Sequence, residues 1–184
     1  MPNYRRADVK GGTYFFTVVT FRRQTFLCDE PVRAALRQAI EHTRQEHPFI
    51  IEAMVLLPDH LHCIWTLPPD DAAFGLRWSK IKRFVTQHCA AALHRPEWLT
   101  ASMRQRKEAT LWQRRFWEHL LRDEQDYARH VDYIHYNPVK HGWAQAVAEW
   151  PWSTFHRYMQ QGVYEKDWAG TSNSEAEEHF GEIV

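Results

Sequence analysis

Two apolar runs parted by a Pro-Asp turn constrain this chain more than any other feature. Ile50-Ile51-Glu52-Ala53-Met54-Val55-Leu56-Leu57 leads into Pro58-Asp59, and His60-Leu61-His62-Cys63-Ile64-Trp65-Thr66-Leu67 follows. Runs of this length, rich in apolar and β-branched residues and broken by turn formers, predict strands over 49–57 and 60–67. A strand sends residues i and i+2 to one face, so His60 and His62 project together from a rigid scaffold. Two neutral imidazoles so placed can hold a divalent cation, and such a cation can polarise a phosphate oxygen. Paired histidines on a strand are also common members of a hydrogen-bonded, half-buried face. The rest of the chain has to decide between these readings.

Around this hairpin the pattern alternates. Gly11-Gly12 precedes a β-branched and aromatic stretch that predicts a strand over 13–21. Asp29 and Pro31 open a helix over 31–46, and apolar residues at helical spacing (Leu76, Ile81, Phe84, Val85, Cys89) predict another over 74–93. Residues around Arg104 to Lys107 read as loop, and 110–121 reads as a strand, with a helical reading left open. Asp123 caps a last helix, expected to end near Asn137 because Pro138 follows. The order β-α-β-β-α-β-α predicts an α+β fold: a ferredoxin-like sandwich, with an antiparallel sheet and helices on one face. Three units are expected: a domain over residues 1–142, an aromatic and basic appendage over 143–170, and a loose acidic tail over 171–184.

Net charge is zero, with 23 basic and 23 acidic residues, but the charges are segregated. Residues 171–184 hold four acids and no Lys or Arg. Between Arg77 and Trp117 lie ten basic residues against Glu97 and Glu108. Trp78, Phe84, Trp98, Trp112, Phe116 and Trp117 interleave with them. Cations beside stacking platforms predict a polyanion surface. The candidate contacts to nucleic acid are Arg77, Lys80, Lys82, Arg83, Arg104, Arg106, Lys107, Arg114 and Arg115, with Trp152 and Arg157 of the appendage. For the appendage, packing on the domain is an equal alternative. Three distant cysteines make neither a disulfide framework nor a metal knuckle. No secretory segment or membrane span is read, so the chain is expected in the cytoplasm.

The last helix carries two stripes. Tyr127, Val131 and Ile134 form its apolar side. His130, Tyr133 and Asn137 form a neighbouring one, with Tyr133 and Asn137 one turn apart. A phenol is a weak nucleophile at neutral pH, and it becomes useful against a metal-polarised phosphodiester. Asn137 can add a carbonyl oxygen as a third ligand beside the two imidazoles. Tyr127 and Tyr136 are the rival nucleophiles; Tyr127 falls on the apolar stripe, and Tyr136 is assigned to the face of Asp132 and Lys140.

Three stretches carry a resemblance: 54–62 (Met-Val-Leu-Leu-Pro-Asp-His-Leu-His), 112–119 (Trp-Gln-Arg-Arg-Phe-Trp-Glu-His), and 130–142, from His130 through Tyr133, Asn137 and Pro138 to Gly142. Together they resemble the REP-associated tyrosine transposases, of the single-tyrosine HUH superfamily. The resemblance implies that the positions matching His60 and His62 bind Mg²⁺ or Mn²⁺, with Asn137 completing the shell. It implies that Tyr133 attacks single-stranded DNA, becoming joined to the 5′-phosphate and freeing a 3′-OH, with no nucleotide cofactor. The implied substrate is a repetitive extragenic palindrome, a hairpin flanked on its 5′ side by a tetranucleotide. The implied assembly is a monomer or a homodimer. Protonation of the leaving oxygen has two candidates, His130 and bound water. The alternative reading is a domesticated protein that binds such hairpins without turnover. An RNA-binding sandwich would need an aromatic motif on its central strands that is missing here, and a zinc hydrolase would need an HExxH or a Cys pair.

Overall fold

The computed structural model describes residues 8–168; the acidic stretch 171–184 lies outside them. Four strands, β1 (Thr13–Val19), β2 (Ile50–Leu56), β3 (His60–Thr66) and β4 (Trp117–Leu120), form one sheet in the order β2-β3-β1-β4. Every neighbouring pair is antiparallel. Three long helices, α1 (Glu30–Glu46), α2 (Phe74–Leu93) and α4 (Glu124–Lys140), pack on it, with short helices α3 (Ala101–Gln105) and α5 (Phe155–Gln160) between and after. The expected ferredoxin-like α+β order is present. No helix among the described residues is long and apolar enough to cross a membrane.

Strand alternation divides the core in two. Phe16, Val18, Leu61, Cys63 and Trp65 face α1 and α2, where they meet Val32, Leu36, Ile81 and Val85. Phe15, Ala53, Val55 and Ile64 face the other way and are covered by Val131 and Ile134 of α4. Each Phe, Val or Ile side chain among them contributes roughly 1.5–3 kcal/mol when fully buried, so this second layer holds α4 firmly to the sheet. The two sandwich helices share one face, as expected, and the last helix takes the opposite one. His60 and His62 alternate in step with Ile64, so they lie beneath α4.

Two boundaries differ from expectation. The strand expected over 110–121 is interrupted. Trp112 bridges Thr20 and Trp117 pairs with Thr17, which leaves two more residues on the 112–117 side than a continuous ladder holds. The excess pushes Arg114 and Arg115 into solvent, as a bulge does. The helix expected to stop at Asn137 runs through Pro138 to Lys140. Proline removes one i→i−4 hydrogen bond, a tolerable loss in a last turn that is otherwise closed. Trp143 N donates to Pro138 O at 2.8 Å and Gly142 N to Val139 O at 3.0 Å, with Gly142 at φ 71°. This is a Schellman closure, and it needs a residue that tolerates the left-handed region.

The appendage packs on the domain. Leu56 N donates to Trp152 O at 2.9 Å, and Thr154 N to Met54 O at 2.9 Å, so residues 152–154 run along the outer edge of β2. That pairing covers a sheet edge that would otherwise be open.

Candidate active site

The site is assembled by β3, β1 and α4. Both histidine rings are buried, with centroids 4.9 Å apart. Each is fixed through Nδ1. His60 Nδ1 lies 2.6 Å from Asp59 Oδ1, and His62 Nδ1 lies 2.8 Å from Thr17 Oγ1, its register partner on β1. A carboxylate can only accept, so Asp59 sets His60 to the tautomer whose Nε2 carries the lone pair. Asp59 in turn accepts from Arg23 Nη1 at 2.9 Å. Burial would raise the Asp59 carboxyl, but the hydrogen bonds from His60 and Arg23 and the Arg23 charge outweigh it and hold the group at about 2.

Helix α4 brings the remaining residues. The Tyr133 ring lies 5.2 Å from that of His62, and the His141 ring, at the helix cap, lies 5.3 Å from that of His60. Asn137 sits midway between them at i+4 spacing and is fully buried. It is therefore set opposite the histidine pair, with an amide oxygen to offer. The Phe15 ring lies 5.4 Å from that of His62 and 6.1 Å from that of Tyr133. Two imidazole nitrogens with oriented Nδ1 partners and one buried amide oxygen form a donor set that suits a divalent ion, as carboxylate- and hydroxyl-braced histidines do in metal sites.

A second cluster, His119, Asp126 and His130, has donor atoms within 4.8 Å of one another. It is closed on itself. His119 Nε2 and Arg122 N converge on Asp126 Oδ2 at 2.9 and 3.1 Å. His130 Nδ1 donates to the Asp126 backbone oxygen at 2.7 Å, which removes that nitrogen as a ligand. Burial pushes His130 below the ordinary histidine range. The trio braces β4 against the first turns of α4.

The basic residues separate into groups. Arg77 is a correction: it is fully buried, and its guanidinium is spent on Asp71 and on the carbonyls of His47, Pro48 and Ala73. Such a fork cannot reach a phosphate. Trp152 and Arg157 serve the appendage: Trp152 stacks under Arg33, and Arg157 donates to the carbonyls of Ile51 and Glu52. Lys80 pairs with Glu46 at 2.6 Å, and both it and the exposed Arg83 ride on α2, across the sheet from the histidines. Lys82 donates to Gln113 O at 2.9 Å. Arg104, Arg106, Lys107, Arg114 and Arg115 are exposed, although Arg106 pairs with Glu108 at 2.6 Å.

Sequence reasoning missed four contributors. Asp59 and Thr17 were readable in principle, one adjoining His60 and the other lying opposite His62 once the strands are paired. His141 needed the helix to continue past Pro138. Lys140 shares the Tyr136 face, and its ammonium also lies 4.7 Å from the Tyr133 ring centroid and donates to Tyr133 Oη at 3.3 Å. The signal was the i, i+7 spacing, only about 20° from perfect alignment on a helix.

Comparison with known proteins identifies the family. The family model described as "Transposase IS200 like" matches residues 8–137. The REP-associated tyrosine transposase of Escherichia coli (strain K12) is 45% identical over 170 residues, which cover 92% of this chain and 92% of that protein. A solved structure described as a REP-associated tyrosine transposase bound to a REP hairpin superposes with a TM-score of 0.82 at 44% identity, covering 100% of this chain and 99% of that one. The chain belongs to the IS200-like transposase family and, within it, to the REP-associated tyrosine transposases. It is an enzyme of the tyrosine-transposase type.

Proposed function

We propose that this transposase cleaves and rejoins single-stranded DNA at repetitive extragenic palindrome hairpins through a 5′-phosphotyrosine on Tyr133. The observation that carries the reading is the placement of Tyr133 against His62 on α4, the helix that covers the histidine face. His60, His62 and Asn137 are the residues that would hold Mg²⁺ or Mn²⁺. Bound there, the ion would neutralise charge on the non-bridging phosphate oxygens.

Tyr133 Oη forms the new bond to phosphorus as the bond to the 3′ oxygen breaks. The phenolic proton is lost, and the departing oxygen takes one up to become a 3′-OH. The tyrosyl ester retains the phosphodiester's bond energy, so the same residues can run the step backward without a nucleotide cofactor. Asp59 and Thr17 keep the imidazoles aimed, and burial of the pair by α4 lowers the reorganisation needed at reaction. Arg104, Lys107, Arg114 and Arg115 hold the hairpin by its phosphates. Arg22, stacked 5.0 Å over Trp98, flanks the same end of the sheet and offers a platform for unpaired bases of the 5′ tetranucleotide.

The test is incubation of the protein with single-stranded repeats drawn from its own flanking DNA, with Mg²⁺, Mn²⁺ or EDTA. Metal-dependent nicking with a covalent protein–DNA band supports the reading. Binding without nicking on every repeat supports the domesticated alternative.

A further inference from the structure

We propose that Lys140 is a catalytic residue that stabilises negative charge on Tyr133 Oη during both cleavage and rejoining. The inference rests on Tyr133 being the nucleophile. Two observations place the ammonium there: Nζ donates to Tyr133 Oη at 3.3 Å, and it lies 4.7 Å from the ring centroid. The Schellman closure at Gly142 carries α4 far enough past Pro138 to set Lys140 two turns after Tyr133.

The charge balance gives the contact its meaning. In the resting enzyme Oη belongs to a neutral phenol, and in the covalent intermediate to a phosphate ester. Between them, as the O–P bond forms or breaks, Oη carries partial negative charge that neither end state has. A fixed cation at Oη is worth more in that transition state than in either ground state, which is the condition for accelerating chemistry rather than binding. In cleavage the phenolic proton passes to solvent while Lys140 keeps its own three. In rejoining, the 3′-OH attacks phosphorus, the Tyr133 O–P bond breaks, and the departing phenolate is met by the same ammonium. Lys140 therefore acts without being consumed.

Two plainer roles compete. Lys140 is exposed and could grip a DNA phosphate, or it could simply favour the negative end of the helix. Single-turnover adduct formation at saturating hairpin DNA separates them, measured for wild type, Tyr133→Phe, Lys140→Met and Lys140→Arg together with DNA affinity. Loss of one transition-state donor typically slows the reaction ~100–1000-fold in an enclosed site; for this exposed one, Lys140→Met is expected to slow cleavage and rejoining ~10–100-fold. DNA affinity should change less than ~3-fold. Lys140→Arg, which keeps the charge, should recover part of the rate. A substrate with a 3′-bridging sulfur, which leaves without protonation, should show the same Lys140→Met defect.

A Lys140→Met protein that reaches the wild-type rate at saturating DNA would overturn the proposal in favour of phosphate binding. A defect that vanishes with the sulfur substrate would overturn it in favour of a leaving-group acid. If Tyr133→Phe still forms the adduct, the nucleophile assignment itself fails, and that outcome is visible independently of any Lys140 variant.

Discussion

The Asp59 carboxylate bridges His60 and Arg23: Oδ1 lies 2.6 Å from His60 Nδ1, and Oδ2 accepts from Arg23 Nη1 at 2.9 Å. Arg23 reaches it from a turn in which Arg22 and Arg23 both adopt positive φ, 54° and 51°, a costly conformation for non-glycine residues. The bridge fixes the tautomer and the aim of one imidazole. Asp59→Ala should therefore weaken Mn²⁺ binding ~10–100-fold, as loss of a metal-site brace generally does. Isothermal titration calorimetry of the apoprotein reads this directly, and affinity within ~2-fold of wild type would count against the bridge as an orienting device.

Two titratable groups, the buried His135 and the half-buried Asp59, predict the response to acid. His135 is fully buried, its Nε2 lies 2.9 Å from Thr154 Oγ1, and burial depresses it to about 3. A histidine whose folded pKa is depressed binds protons more readily when unfolded. It stabilises the fold above the ordinary value near ~6.5 and loses that contribution as pH falls toward 3, by up to ~1.4 kcal/mol per unit. Asp59, held at about 2, adds a further loss below the ordinary carboxyl range near ~4. Urea unfolding at pH 7, 6 and 5 should show falling stability, with a shallower fall for His135→Phe.

Burial by α4 couples stability to chemistry. Ile134 is fully buried against Phe15, Val55 and Ile64. Ile134→Ala should cost about 2–4 kcal/mol through lost transfer energy and the cavity it leaves. Because the same helix carries Tyr133, its adduct rate should fall even at temperatures where the protein remains folded.

The helix end can be tested separately. A Cβ at Gly142 would meet nothing within 4 Å, so Gly142→Ala introduces no clash and only the penalty of φ 71°. That penalty is about 1–2 kcal/mol. Thermal unfolding should register it, and metal affinity should not, since the proposed ligands lie upstream of the closure.

Much of this architecture was legible in the sequence because it rests on local rules. Two apolar runs parted by Pro58-Asp59 mark the hairpin, and period 3.6 marks the stripe of Val131 and Ile134. The rest depended on distant partners. Arg77 reads as one cation of a basic run, yet its fate is set by Asp71 and by the carbonyls of His47 and Pro48, about thirty residues upstream. Pro138 reads as a stop, and only the hydrogen bonds around Gly142 show why the helix passes it. Lys140 shares the exposed face of Tyr136, and only the folded helix shows its ammonium reaching back to Tyr133 Oη. Residues 152–154 could not be assigned to the β2 edge until the sheet order was known.

The exposed pair at the bulge predicts the salt response. Replacing both Arg114 and Arg115 by Ala should weaken hairpin binding and lower the slope of log affinity against log salt by about 1.4–1.8, the share of two phosphate contacts. An unchanged slope would place the DNA elsewhere on the surface.

The proposed reaction joins Tyr133 covalently to DNA beside a metal held by His60, His62 and Asn137. Peptide mass spectrometry of the protein trapped on a cleaved hairpin repeat tests it most directly. A single nucleotide-bearing peptide modified at Tyr133 is expected, formed with Mg²⁺ or Mn²⁺ and absent with EDTA. A modification at Tyr127 or Tyr136, or an adduct that forms equally well in EDTA, would contradict it.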